Sequence, residues 1–167
     1  MVWYALLIAA VAVERIAELV VSQRNLSWSR ARGGVEFGAR HYPAMVALHT
    51  GLLVGCLLEA FHRPFVPALG WPMLAVVLAA QGLRWWCIAT LGHQWNTRVV
   101  VIPDATRVTS GPYRFFSHPN YVAVVVEGIA LPLVHTAWIT AAVFTVLNAV
   151  VLRTRLGVEN AALAGLR

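Results

Sequence analysis

An all-α integral membrane protein of about five transmembrane helices is predicted by three observations on the sequence. Its 167 residues are 59% hydrophobic and only 12% charged, far from the soluble average. Five apolar stretches, over 2–21, 43–61, 68–91, 119–133 and 136–152, approach or reach the roughly 17–25 residues that cross a bilayer as helix. Ten of the thirteen basic residues, all of them arginine, fall in three segments that five alternating helices bring to one side.

The first stretch has the length of a secretory leader. It lacks a basic start and a small-residue cleavage site and carries Glu14, Arg15 and Glu18, so it reads as a retained helix. The polar segment 22–42, with Gly33, Gly34 and Gly38, is expected as a loop that ends in a helix start at Pro43. The short link 62–67 makes the second and third helices antiparallel neighbours. The second polar segment, 92–117, alternates Val99, Val100, Val101 and Ile102 with a Pro103–Asp104 turn, which allows a small extended or hairpin element on the membrane surface. The fourth stretch is short, about 22 Å at 1.5 Å per residue against a hydrocarbon core of ~30 Å. Whether it spans fully or partly, its start at His118 and the end of the fifth stretch near Arg153 meet on the same side. No internal repeat or low-complexity segment interrupts the chain, so residues 1–167 read as a single membrane domain.

Charge placement fixes an orientation. Arg24, Arg30, Arg32 and Arg40 follow the first helix, Arg98, Arg107 and Arg114 the third, and Arg153, Arg155 and Arg167 the fifth; Arg63 alone lies in the opposite loops. The positive-inside rule then puts the N-terminus outside and the C-terminus in the cytosol. On this reading the net charge of +6 is a topology signal, and no nucleic-acid partner is expected. Cys56 and Cys87 sit inside apolar helices without ligand-like spacing, so they are expected to pack, with no disulfide or metal site.

Glu14, Arg15, Glu18, Gln81, Arg84 and Glu127 lie within the first, third and fourth helices. Counting from the arginine-rich helix ends puts Glu18 about 5 Å deep, Arg84, Arg15 and Glu14 about 10–12 Å, and Glu127 about 13 Å. All six therefore occupy one half of the bilayer, whereas the other half holds only Glu59 near its edge. Charges in lipid face a cavity or a partner, so a water-accessible cavity open to the cytosol is expected, with Arg84 facing Glu127 at matching depth.

The segment Gly111-Pro112-Tyr113-Arg114-Phe115-Phe116-Ser117-His118-Pro119-Asn120-Tyr121 holds the densest polar information. Ser117 is expected to cap a helix that Pro119 opens, leaving free N–H groups that bind anions at the cytosolic surface. Arg155 and Glu159, spaced i,i+4, share a helix face that continues out of the membrane.

This segment, with Glu127 six residues on, resembles the G-P-Y-R-x-x-R-H-P-x-Y signature of the isoprenylcysteine carboxyl methyltransferase family. The run Arg155-Leu156-Gly157-Val158-Glu159-Asn160-Ala161-Ala162-Leu163 resembles that family's second element, R-hydrophobic-x-x-E-E-x-x-L. With Leu91-Gly92 and Trp95-Asn96 included, the resemblance covers 91–163 as a methyltransferase core behind the N-terminal helices of 1–91. Glu14-Arg15, Glu18, Ser22 and Arg24-Asn25 also look like the start of its short bacterial members. Ser117 stands where the family has arginine and Asn160 where it has a second glutamate, which implies altered affinity or substrate choice.

The resemblance implies an S-adenosylmethionine-dependent methyltransferase in the bacterial inner membrane, multi-pass, with its site facing the cytosol. Arg155 and Glu159 become the candidate catalytic pair. His118, Tyr121, Tyr113, Pro119, Asn120, Trp95 and Gly111 become candidate cofactor contacts, and Glu127, Arg84 and Glu18 candidate substrate contacts. The helix N-terminus would hold the methionine carboxylate, and Tyr113, Tyr121 and Trp95 would offer aromatic faces to the adenine or the sulfonium. The other histidines are less informative: His41 and His93 lie on the cytosolic side, where the cofactor is expected, whereas His49 lies in the second helix and His62 and His135 at the outer face. The expected acceptor is a lipophilic carboxylate, enol or phenol, such as a long-chain alkylpyrone or alkylresorcinol, entering sideways from the bilayer. Two other readings compete: a membrane reductase using NADPH, and a non-enzymatic helix-bundle partner or carrier.

Overall fold

A computed structural model describes residues 1–103 and 105–164; Asp104 of the expected turn and Arg167 lie outside them. Five helices carry the fold: α1 (Val2–Arg30), α2 (Tyr42–Ala60), α3 (Pro67–Leu91), α4 (Pro119–Leu133) and α5 (Trp138–Ala164). Helices α2, α3 and α5 are long and apolar enough to cross a membrane. Helix α1 has the length but carries Glu14, Arg15 and Glu18, and α4 is only 15 residues long. The bundle is a membrane protein, and leucines, valines and tryptophans are exposed along its helices.

Helix α1 runs nine residues past the expected boundary at Val21. Residues 22–30 contain neither glycine nor proline, and Ser22, Asn25, Leu26 and Ser29 form a buried stripe at i, i+3, i+4 and i+7. That stripe packs on the segment after α3. Asn25 Nδ2 donates to the carbonyls of Gly92 at 3.1 Å and Trp95 at 2.7 Å, and Ser22 Oγ donates to Asn96 Oδ1 at 2.7 Å. The chain turns only at Gly33 and Gly34, where Gly33 takes a φ of 78° and the Gly34 nitrogen donates to Ser29 O.

The two polar segments are joined to each other. Strand β1 (Val35–Phe37) pairs antiparallel with β2 (Val99–Val101), Val35 opposite Val101. The extended run at Val99 therefore finds a partner more than sixty residues earlier rather than closing a local hairpin. Pro103 limits local pairing because it offers no N–H for a ladder. Glu36 fastens the pair to its surroundings, accepting from Arg98 at 2.6 Å and Arg30 at 3.2 Å.

The opposite end of the bundle is held by aromatic packing and one carboxylate. Tyr4, fully buried, donates its hydroxyl hydrogen to Leu131 O at 2.9 Å, and Trp3, Phe65 and Trp71 stack around it and His135. Glu59 of α2 accepts from the Ile139 and Thr140 nitrogens at 3.1 and 2.8 Å, so it satisfies free N–H groups in the first turn of α5. Between the ends lies a core of Ile8, Val11, Leu52, Cys56, Val77, Ala130 and Phe144.

Candidate functional site

The charges expected inside the membrane form one closed network. Arg15 donates to Glu18 at 2.7 Å and to Glu127 at 2.5 Å. Arg84 donates to Glu127 at 2.5 Å, with its Nε 3.5 Å from Glu18. Glu14 is held by neutral donors, Gln81 Nε2 and, at 2.6 Å, Trp85 Nε1. Arg84 does face Glu127. The partners, however, are one another rather than cavity water, because Glu18, Arg84 and Glu127 are each only 4% exposed. A small cavity bordered by His49, Leu52, Val124 and Phe144 touches the network at Arg15 and Glu127. Lifting two arginines and their carboxylates out of water costs several kcal/mol per ion, which the direct contacts offset only because the geometry is close.

A second cluster assembles at the arginine-rich face. Tyr121, in the first turn of α4, donates its phenol hydrogen to Glu159 Oε2 of α5 at 2.5 Å. His118 Nδ1 lies 3.4 Å from Glu159 Oε1, and the His118 ring stacks on Tyr121 with centroids 5.5 Å apart. Arg155, one turn before Glu159, places Nε 3.5 Å from the Tyr121 hydroxyl and its guanidinium 5.8 Å from the ring centroid. The guanidinium is fixed from behind by Thr97 O at 2.9 Å and Met45 Sδ at 2.8 Å. Thus His118, Tyr121, Arg155 and Glu159 are brought together from both ends of a 38-residue separation between Tyr121 and Glu159.

The approach to α4 departs from expectation at its cap. His118, not Ser117, is the N-cap residue, with φ −137° and ψ 65° and no side-chain cap bond. Pro119 disfavours the helical conformation in the residue before it, which moves the boundary to His118 and leaves Ser117 outside. His118 O accepts the Tyr121 nitrogen at 3.1 Å. The segment before it is a single 3-10 turn, Gly111–Arg114, entered by Gly111 at φ 56°. A Cβ at Gly111 would lie 2.6 Å from Thr90 Oγ1, so the turn sits hard against α3. Burial raises the Tyr113 phenol above the usual tyrosine range, and the neighbouring Cys87 thiol adds to it. Cys87 is buried and packs there, as Cys56 packs beside Tyr4.

Other expected contacts lie elsewhere. Trp95 is 2% exposed beneath the end of α1, so its ring offers no open face. His93 stacks on Trp28. Glu127 is six residues beyond Tyr121, about 9 Å along the helix, which separates the ion network from the Tyr121–Glu159 cluster. Among groups that sequence reasoning passed over, Thr97 acts through its carbonyl, which leaves no mark in a sequence, and Met45 is one apolar residue among many in α2.

Asn120 Oδ1, in the first turn of α4, is buried without a protein partner among the described residues, as are Asn96 Nδ2 and Trp95 Nε1 in the segment packed under the end of α1. Buried polar groups are ordinarily bonded, so the unpaired Asn120 Oδ1 beside the α4 N-terminus fits a ligand that brings a donor. The model of the isoprenylcysteine carboxyl methyltransferase (ICMT) family matches residues 73–165, and the chain belongs to that family of methyltransferases. It is 36% identical over 159 residues to the uncharacterized protein YpbQ of Bacillus subtilis (strain 168), covering 95% of each chain. It is also 23% identical over 163 residues to an uncharacterized protein of Haemophilus influenzae, covering 95% of this chain and 93% of that one.

Proposed function

We propose that this protein is an S-adenosylmethionine-dependent O-methyltransferase of a lipophilic acceptor, set in the bacterial inner membrane with its N-terminus outside and its site facing the cytosol. The single observation that carries the reading is the bond from Tyr121 to Glu159, which joins α4 and α5 at one face of the bundle, both residues lying within the family-matched range. When bound, the cofactor supplies an electrophilic methyl group on a sulfonium, which passes to the acceptor oxygen and leaves a neutral thioether.

The protein's own residues divide the remaining work. The first turn of α4, with Asn120 Oδ1 unpaired among the described residues, receives the amino-acid end of the cofactor, and Pro119 and Gly111 fix the backbone there. His118, Tyr121 and Tyr113 present aromatic and polar surface beside it, with Trp95 supporting from below. Glu159, held by Tyr121 and His118, gives the positive sulfonium a negative neighbour. Arg155 orients an ionised acceptor oxygen, and Glu159 or His118 accepts the proton of a phenolic one. In-line alignment and exclusion of water supply most of the acceleration for such a transfer, so a strong base is unnecessary. Glu127, Arg84 and Glu18 form the polar floor under an acceptor chain that enters between helices from the bilayer.

The test is calorimetric titration of the detergent-solubilised protein with S-adenosylhomocysteine and with NADPH, followed by transfer of labelled methyl to an alkylresorcinol. Saturable binding of S-adenosylhomocysteine alone is expected. Binding of NADPH alone would instead support the reductase reading, and binding of neither the carrier reading.

A further inference from the structure

Helix α4 is held against α3 at both ends. Beyond its C-terminus, a Cβ on Gly70 of α3 would lie 2.7 Å from Val134 O; before its N-terminus, one on Gly111 would lie 3.1 Å from Trp86 Nε1 as well as against Thr90. Tyr113, in the same 3-10 turn, reaches inward to the Cys87 thiol. The turn Gly111–Arg114 therefore docks on residues 86–90 and not above them, and Trp86 lies about 7 Å short of the α3 terminus at Leu91.

The length of α4 gives the same level. Its 15 residues rise about 22 Å, so a helix that ends beside Gly70 and runs antiparallel along α3 starts near Trp85. Since α3 is long and apolar enough to cross the membrane, this depth is that of its last turns, where tryptophans mark the boundary of headgroups and acyl chains.

The side chains that the turn directs outward at this level are apolar. Phe115 is 70% exposed and Phe116 is 49% exposed, and Trp86 beside the turn is half-exposed as well. The two rings are held out by an ordered backbone, because the Phe115 and Phe116 nitrogens both donate to Pro112 O at 3.2 and 3.1 Å. Arg114, next to them, is exposed too. Apolar rings with an adjacent arginine match the boundary layer of a leaflet, where the rings leave water and the guanidinium meets phosphate.

We propose that residues 111–116 form an interfacial anchor, with Phe115 and Phe116 embedded among the upper acyl carbons of the leaflet and Arg114 on a phospholipid phosphate. The polar segment 92–117 then leaves the membrane at the end of α3 and returns to lipid before α4 begins. The anchor ends two residues before His118, so the leaflet sets the height of the α4 N-cap. None of this depends on which reaction the protein catalyses.

The experiment places the photoreactive residue p-benzoylphenylalanine at position 115, 116 or 31 of the full chain, reconstituted in nanodiscs of palmitoyl-oleoyl-phosphatidylglycerol. Ala31 is the control for water: it is exposed at the end of α1, about 9 Å along the helix beyond Asn25, which bonds Gly92 O at the end of α3. After irradiation, intact-protein mass spectrometry reads the fraction of chains heavier by one lipid. Positions 115 and 116 are expected to give a lipid adduct several-fold more often than position 31. Cooperative unfolding at the wild-type temperature shows that each substituted protein is folded, and replacing one exposed ring by another preserves the turn. A yield at 115 or 116 no higher than at 31 would overturn the anchor. So would cross-linking of 115 and 116 to another protein in place of lipid in native membranes, which would make the rings a protein-docking patch.

Discussion

Tyr121 and Glu159, on α4 and α5, share a hydrogen bond of 2.5 Å inside the family-matched part of the chain. Because Glu159 also faces His118 at 3.4 Å, the carboxylate is the hub of the cluster and the phenol sets its position. Tyr121→Phe and Glu159→Gln should each weaken S-adenosylhomocysteine binding by about tenfold, the size expected when a hydrogen bond to a charged group is removed. Titration of the two single variants and the double variant checks it. The double variant should be scarcely weaker than the worse single, whereas additive losses would mean that the two residues act independently.

Glu127 is the hub of the intramembrane network, since it accepts from both Arg15 and Arg84. Glu127→Gln should therefore destabilise the solubilised protein by about 3–5 kcal/mol, the cost of leaving buried cations short of a partner. Glu14→Gln, which changes a carboxylate held by Gln81 and Trp85, should cost much less. Combining Glu127→Gln with Arg84→Met should recover part of the loss. Thermal unfolding of the wild type, Glu14→Gln, Glu127→Gln, Arg84→Met and the double variant decides it, and a fully additive double variant would contradict the contact.

Gly128 of α4 leaves the space that the Phe144 ring of α5 fills. A Cβ on Gly128 would fall 2.0 Å from Phe144 Cε1, in a ring that is 3% exposed. Gly128→Ala is expected to lower stability by roughly 1–3 kcal/mol through overpacking, and Phe144→Leu in the same protein should relieve it. Melting temperatures of the single and double variants measure both effects.

Orientation is testable without knowing the acceptor. Arg30→Cys and Arg107→Cys, each in a background lacking Cys56 and Cys87, should react with a membrane-impermeant thiol reagent only after the cell membrane is opened. Labelling in intact cells would reverse the topology.

Much of this was legible in residues whose cost demanded an explanation. A glutamate in an apolar helix has few tolerable surroundings, so Glu127 opposite Arg84 could be read from depth alone, and the i,i+4 spacing of Arg155 and Glu159 put both on one face. What escaped was set by tertiary contact. The extension of α1 through Arg30 depends on Ser22 and Asn25 finding the carbonyls and side chains of 92–97, and a stripe of small polar residues looks like a loop until that surface is known. The pairing of Val99–Val101 with Val35–Phe37 spans too much sequence to be inferred from alternation. The cap shifted from Ser117 to His118 because the restriction imposed by Pro119 outweighs the capping preference of serine. In the same way Thr97 and Met45 hold Arg155 through a carbonyl and a thioether, groups that carry no pattern along the chain.

The most direct measurement is the heat of binding of S-adenosylhomocysteine to the wild-type protein and to His118→Ala, Tyr121→Ala, Arg155→Ala and Glu159→Ala. Saturable wild-type binding, weakened in all four variants while their unfolding transitions remain cooperative, is the predicted result. Absence of binding by the wild type, or an affinity unchanged in all four variants, would contradict it.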